Sequence, residues 1–202
     1  MTYTRGGGLE QVYSWIKHEP SVQKTLDVAR EHLKADRFAD AATVLTPLIA
    51  EGNPEALYLG ASFSFGGETA EVFDRRHLDW ITQSANQEYP PALFELGNCY
   101  NDGELVSVDK IKAAQLFKRA AELKHARAQY HHAIDLLYGS NGIEKNESMG
   151  LTYLLESKEA RFRCAFELLA YFYERGEFGF PVDPKKAASL RTEAEGEDVI
   201  WF

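Results

Sequence analysis

The chain has 202 residues, is 45% hydrophobic and 26% charged, and carries a net charge of −9 from 31 acidic and 22 basic residues. That balance excludes a disordered chain, and the acidic excess disfavours non-specific binding to nucleic acid or anionic membrane, which need a neutralising basic patch. No apolar run reaches the roughly 18 residues of a membrane helix, and two cysteines, Cys99 and Cys164, are too few for a disulfide framework.

Residues 1–20, MTYTRGGGLEQVYSWIKHEP, lack an apolar core followed by a small-residue cleavage site, so no secretory signal is read there. With the cysteine usage, this makes a cytoplasmic location the expectation. The segment reads as an extension, partly mobile at its three consecutive glycines, in which LEQVYSWI has the pattern of a short helix.

Residues 92–103, ALFELGNCYNDG, open a periodic pattern. Ala92, Gly97, Tyr100 and Gly103 return as Ala128, Ala133, Leu136 and Gly139 after 36 residues, and as Ala165, Ala170, Tyr173 and Gly176 after 37 more. Upstream, Gly60, Phe63 and Gly66 keep the last three spacings, with Ala56 one residue late. A nearly constant period of this length marks a repeat architecture.

The second half of each unit recurs as well. DKIKAAQLFKRAA (109–121) lies over NESMGLTYLLESK (146–158) and DPKKAASLRTEAE (183–195). Asp109, Asn146 and Asp183 stand where an N-cap belongs, because a side-chain oxygen there satisfies the free amides of the first turn. Pro184 suits the first helical position. Each unit reads as a helix, a loop beginning at Gly, and a second antiparallel helix. Small residues at Gly60, Gly97, Ala133 and Ala170 allow the paired helices to approach closely, and the terminal Gly suits a left-handed C-cap. Period-two alternation is absent, so the fold class is all-α.

ALFELGNCYNDG…VDKIKAAQLFKRAAELKHARA resembles the Sel1-like repeat, roughly A-x4-LG-x2-Y-x2-G, then D-x3-A, then L-F/W-x2-AA. Four copies cover residues 55–196. The third departs at Ala133 and at Ser157-Lys158, and the first places His77 where the second-helix Ala stands. Upstream, ADRFADAATVLTPLIAEGNPEA resembles the related tetratricopeptide helix pair, with Ala29 and Ala41 at its small positions, so residues 21–54 are expected to form one more hairpin. The resemblance implies a right-handed α-solenoid of about ten helices whose first helices line a concave surface.

Three rows follow from the register: Leu57, Phe94, Tyr130, Glu167; then Ala61, Asn98, Ile134, Tyr171; then Ser64, Asn101, Leu137, Glu174. Tyr138 and Arg175 lie one residue beyond the last row. Phe94, Asn98, Asn101, Tyr130, Tyr138, Tyr171 and Glu174 are the candidate partner-binding residues, with Phe94, Tyr130 and Tyr171 as anchors. Packing between repeats is an equal alternative for Phe94, Tyr130 and Ile134. The final GEDVIWF (residues 197–202 lie past the last repeat) reads as a cap over Phe172 and Leu190, with a partner-binding tail as the alternative.

Catalytic chemistry finds no footing. His131 and His132 are adjacent on a helix and point about 100° apart, His131 with Asp135 lacks a third ligand, and Glu122-x-x-His125, the spacing of a carboxylate-bridged metal helix, has no second copy and reads as chance at a helix end. YNDG (100–103) has neither the ligand spacing of a calcium loop nor the Lys-Ser or Lys-Thr of a phosphate loop. The expectation is a non-enzymatic protein-binding module with no cofactor, no metal, no nucleic acid and no membrane. Its partner is a protein, and a basic one if charge contributes. In bacteria the resemblance extends to inhibitors that neutralise toxins, so a small cytoplasmic immunity protein is one specific form. An adaptor or scaffold in signalling or envelope assembly is its rival, and a helical enzyme with a groove site is the alternative of another class. The sequence carries no signal for an oligomeric state.

Overall fold

The computed structural model describes residues 17–196, so the expectations for 1–16 and for the terminal VIWF lie outside the described residues. These residues form ten α-helices and no β-strand. None of the described helices is long and apolar enough to cross a membrane. The chain divides into two compact units, one ending at Asp109 and one beginning at Lys110. The first holds α1 (Pro20–Lys34), α2 (Phe38–Ala50), α3 (Pro54–Ala61), α4 (Ala70–Ala85) and α5 (Pro90–Asp102). The second holds α6 (Lys110–Glu122), α7 (Ala126–Tyr138), α8 (Glu147–Glu159), α9 (Arg163–Arg175) and α10 (Pro184–Ala194).

In the first unit, Leu26, Ala29, Ala41, Leu45, Ala56 and Leu59 form a core joining α1, α2 and α3. Proline opens α1, α3 and α5, where its missing N–H removes no intrahelical bond. The small position at Gly60 is needed: a Cβ there would lie 2.8 Å from Ile49 Cδ1 and 2.9 Å from Trp80 Cζ3. Glu55, buried on α3, pairs with Arg30 of α1 and lies 3.0 Å from His18 Nε2. Burial first, and the Glu55 carboxylate second, raise the Tyr89 phenol well above its ordinary pKa.

One expectation for this unit is corrected. The helix predicted to run to Gly66 stops at Ala61 with Ser62 as its C-cap, and Gly66 takes no left-handed conformation. The cause is Arg76 of α4. Its guanidinium donates to the carbonyls of Gly60 (2.9 Å) and Phe63 (2.8 Å) and to the Glu68 carboxylate (2.6 and 2.9 Å). It also lies 4.6 Å over Phe65, 5.3 Å over Phe73 and 4.5 Å over Trp80. Orphaned carbonyls at a helix end require partners, and Arg76 supplies them where the other repeats use a glycine cap. His77, in place of the expected Ala, donates from Nδ1 to the Ala61 carbonyl at 2.9 Å.

The other three loops follow expectation. Gly103, Gly139 and Gly176 cap α5, α7 and α9 at φ of 74°, 71° and 68°, a region open to glycine at little cost. Asn146 accepts from the Met149 amide and Asp183 from those of Lys185 and Lys186. Asp109 directly precedes α6.

The core of the second unit is built on Ala133, Leu137, Leu154, Phe166, Leu169, Phe172, Ala187 and Leu190. Ala133 and Gly150 mark the close approach of α7 and α8: a Cβ at Gly150 would meet Leu137 Cγ at 2.8 Å and the Ala133 carbonyl at 3.1 Å. Ser157, which breaks the paired alanines of the repeat, is fully buried and donates to the Ala126 carbonyl at 2.7 Å. Ser84 makes the equivalent bond to Pro54 at 2.6 Å, so a hydroxyl is accommodated at this small position when the facing helix start offers a carbonyl.

His125 caps α7 by accepting from the Ala128 amide through Nδ1, a role that needs a neutral ring. Burial, with help from Arg127 and His131, lowers its pKa to about 3. The unfolded chain binds this proton below pH ~6.5 and the folded chain resists it, so stability falls as pH drops from about 6.5 toward 3, by up to about 1.4 kcal/mol per pH unit. His125→Asn keeps an acceptor and removes the titration. Denaturant unfolding between pH 7 and pH 4.5 is expected to show a shallower stability loss in that variant than in the parent chain; equal slopes would contradict the cap's role.

Candidate protein-binding face

The first helices of the second unit leave one stripe each uncovered, as the 3.6-residue period dictates. On α7 the residues short of full burial include Tyr130, Ile134 and Tyr138; on α9 they include Glu167, Tyr171, Glu174 and Arg175. Tyr138 is 53% exposed and Tyr171 37%. The three tyrosines lie close enough that Tyr138 influences Tyr130, and Tyr171 influences Tyr138, electrostatically. Burial raises the Tyr130 phenol to about 12 and Tyr138 above its ordinary value.

Tyr130 is half-buried, with its ring edge-on to Phe162 at 5.4 Å, so it both packs and contributes to the face. Tyr138 sits edge-on to Phe178 at 5.6 Å. Phe178 in turn packs 4.7 Å from Phe172, which is fully buried. The visible tyrosines are thus the outer members of a packed aromatic cluster. Charges surround them in pairs: Arg163 Nε with Glu167 at 2.7 Å, and Arg191 with Glu174 at 2.5 and 3.0 Å. The Arg191 bond holds the Glu174 carboxyl below its usual pKa.

Three predicted residues belong to α5 in the first unit. Phe94 is 3% exposed, which assigns it to packing and removes it from the anchors. Its place on a first-helix row fixed its direction, but not how deeply neighbouring side chains cover it. Asn98 and Asn101 are half-buried rather than open, and Asn101 Nδ2 donates to Asp102 Oδ1 at 2.7 Å. Arg175 and Phe178 were absent from the predicted set. The signal for Arg175 was its place four residues after Tyr171, which puts both on one helix face.

The histidines considered as ligands have other contacts. The His131 ring lies tilted 4.9 Å from Phe117, and His132 is buried with its ring 5.0 Å from Tyr153. Asp135 accepts from the side chains of Ser140 and Asn141 at 2.5 and 2.8 Å. Among the described residues, no group of three or more His, Cys, Asp or Glu could hold a metal ion.

The Sel1 repeat model matches residues 90–125, 126–162 and 158–190. Two curated relatives come from Schizosaccharomyces pombe. Chitin synthase regulatory factor 2 is 31% identical over 116 residues, covering 54% of this chain and 22% of that protein. Chitin synthase regulatory factor 3 is 24% identical over 142 residues, covering 68% and 15%. The chain therefore spans less than a quarter of the length of either relative. Among solved structures, a Sel1 repeat protein from Oxalobacter formigenes superposes with a TM-score of 0.67 at 25% identity, over 84% of this chain and 67% of that one. The protective antigen c5321 of uropathogenic Escherichia coli, which displays an SLR fold, gives 0.63 at 22% identity, over 74% and 32%. Helix pairs with glycine-capped first helices, an all-α solenoid fold shared with these structures, and three consecutive repeat matches lead to one assignment: the chain belongs to the Sel1 repeat family.

Proposed function

We propose that the chain is a non-catalytic adaptor that holds a protein partner on the α7 and α9 face of its second unit. The observation that carries this reading is the exposed pair Tyr138 and Tyr171, buttressed from below by buried Phe172. Tyrosine and arginine dominate the energetics of protein interfaces, and rigid aromatic rings lose little entropy on binding. Sel1 repeat proteins are protein-interaction modules, which supports the class of function. The relatives named as regulatory factors support a role in controlling another protein. A cytoplasmic setting accords with a chain of only two cysteines, Cys99 and Cys164. An immunity protein against a basic toxin is a narrower version, supported by the −9 net charge.

The test is capture of a protein by the immobilised chain, followed by reconstitution from purified components. A saturable complex is expected, and an adaptor leaves the partner's activity intact whereas an inhibitor abolishes it. Failure of every captured protein to rebind in purified form would overturn the reading.

A further inference from the structure

Resting on the reading of the second unit as a protein-binding module, we infer that the corner formed by Tyr138, Tyr171 and Arg175 binds an acidic peptide segment, with an apolar side chain against the tyrosine rings and a carboxylate on Arg175. Charge complementarity selects this occupant. Arg175 is exposed, lies with its guanidinium 5.2 Å over the Tyr171 ring, and makes no ion pair within 4 Å among the described residues, although it helps hold the adjacent Glu174 ionised. The neighbouring acids are engaged: Glu174 by Arg191 and Glu167 by Arg163. Glu177 also acts on Tyr138 but is half-buried, so Arg175 is the more exposed of the two. A guanidinium over an aromatic ring keeps its fork of N–H donors free for a carboxylate.

The apolar side of the corner is equally well defined. Val182, in the loop that follows α9, is 66% exposed, and its Cγ2 packs toward Gly176. Phe172, fully buried, contacts Tyr171 at 6.2 Å, Phe178 at 4.7 Å and Phe180 at 6.1 Å. Rings fixed in this way form a preformed surface, which lowers the ordering cost of binding. The net charge of −9 points to a basic partner for the chain as a whole. At this corner Arg163, Arg175 and Arg191 offset Glu167, Glu174 and Glu177, and the acids of the rest of the chain beyond about 8–10 Å are screened at physiological salt.

A random dodecapeptide library selected on the full chain tests the assignment, with parallel selections on Arg175→Glu and Tyr171→Ala. Circular dichroism of each variant confirms that it keeps its helices. The expected result is enrichment of peptides with Asp or Glu next to an aromatic or aliphatic residue. Arg175→Glu is expected to reverse the preference toward Lys and Arg, and Tyr171→Ala to weaken a selected peptide roughly tenfold or more. Enrichment of basic peptides on the parent chain, no enrichment at all, or an acidic preference that survives Arg175→Glu would overturn it. If peptides bind but neither substitution changes their affinity, protein binding stands and this corner is not the site. If reconstitution of captured partners also fails, the broader reading falls with it.

Discussion

Phe172→Ala is expected to cost the second unit about 3–5 kcal/mol of stability, read in a thermal melt as a fall in Tm of roughly 12 °C or more. Phe172 is fully buried at the centre of a ring cluster with Tyr171, Phe178 and Phe180, and it belongs to the core that joins α7, α8, α9 and α10. Truncation removes the transfer free energy of the ring and leaves a cavity that rigid helices only partly close. The loop residue Phe178 loses its contact, and with it the support beneath Tyr138. Partner affinity should therefore fall together with stability. Tyr171→Ala, at an exposed position, is expected to shift Tm by far less. A Phe172→Ala chain that melts within 2 °C of the parent would show that the aromatic cluster is not packed as described.

Arg76→Ala is expected to cost the first unit about 3–5 kcal/mol, because it leaves the Glu68 carboxylate half-buried without its cation. The side chains of Arg76 and Glu68 are 13% and 12% exposed, and Arg76 also donates to the α3 carbonyl of Gly60 and to the Phe63 carbonyl of the following loop. The Arg76 hydrogen bond lowers the Glu68 pKa, with the Phe65 amide also contributing. A carboxylate with a lowered folded-state pKa contributes stability above its unfolded pKa and loses it as pH falls. The variant should thus show less acid sensitivity than the parent chain. Adding Glu68→Gln to Arg76→Ala should recover part of the loss, because the stranded charge disappears; a double variant less stable than the single one would contradict the clasp.

The repeat itself was legible because its signals are local. Gly103, Gly139 and Gly176 occupy left-handed caps that bulkier residues resist, and Asn146 and Asp183 cap the following helices. These requirements act on single positions and leave a regular trace in the sequence. The end of α3 was not legible. Its glycine at position 66 matched the register, yet the helix ends at Ser62 with its Gly60 carbonyl held by Arg76, a residue ten positions later whose place depends on three aromatic rings meeting around it. His125 was read as a chance member of a metal-like spacing, and it serves as the N-cap of α7.

At the candidate face, register correctly placed Tyr138 and Tyr171 on the open stripes of their helices, because direction follows from the helical period. Depth did not follow. Phe94 lies on the same kind of row and is buried, since coverage depends on the size of the side chains around it. Arg175 was placed beside the last row but not among the candidate residues, because a single arginine near a helix end is ordinary. Its significance lies in the tyrosine beneath it and in the two neighbouring glutamates already held by Arg163 and Arg191.

The affinity of a reconstituted partner for the Tyr171→Ala chain tests binding by the α7 and α9 face most directly. A true anchor contributes about 2 kcal/mol or more, so the dissociation constant should rise about 30-fold or more. Lys118→Ala, an exposed substitution on α6, serves as the control and should change it less than about threefold. A Tyr171→Ala chain that binds as tightly as the parent, while Lys118→Ala weakens binding, would contradict the assignment and place the partner on the second-helix side.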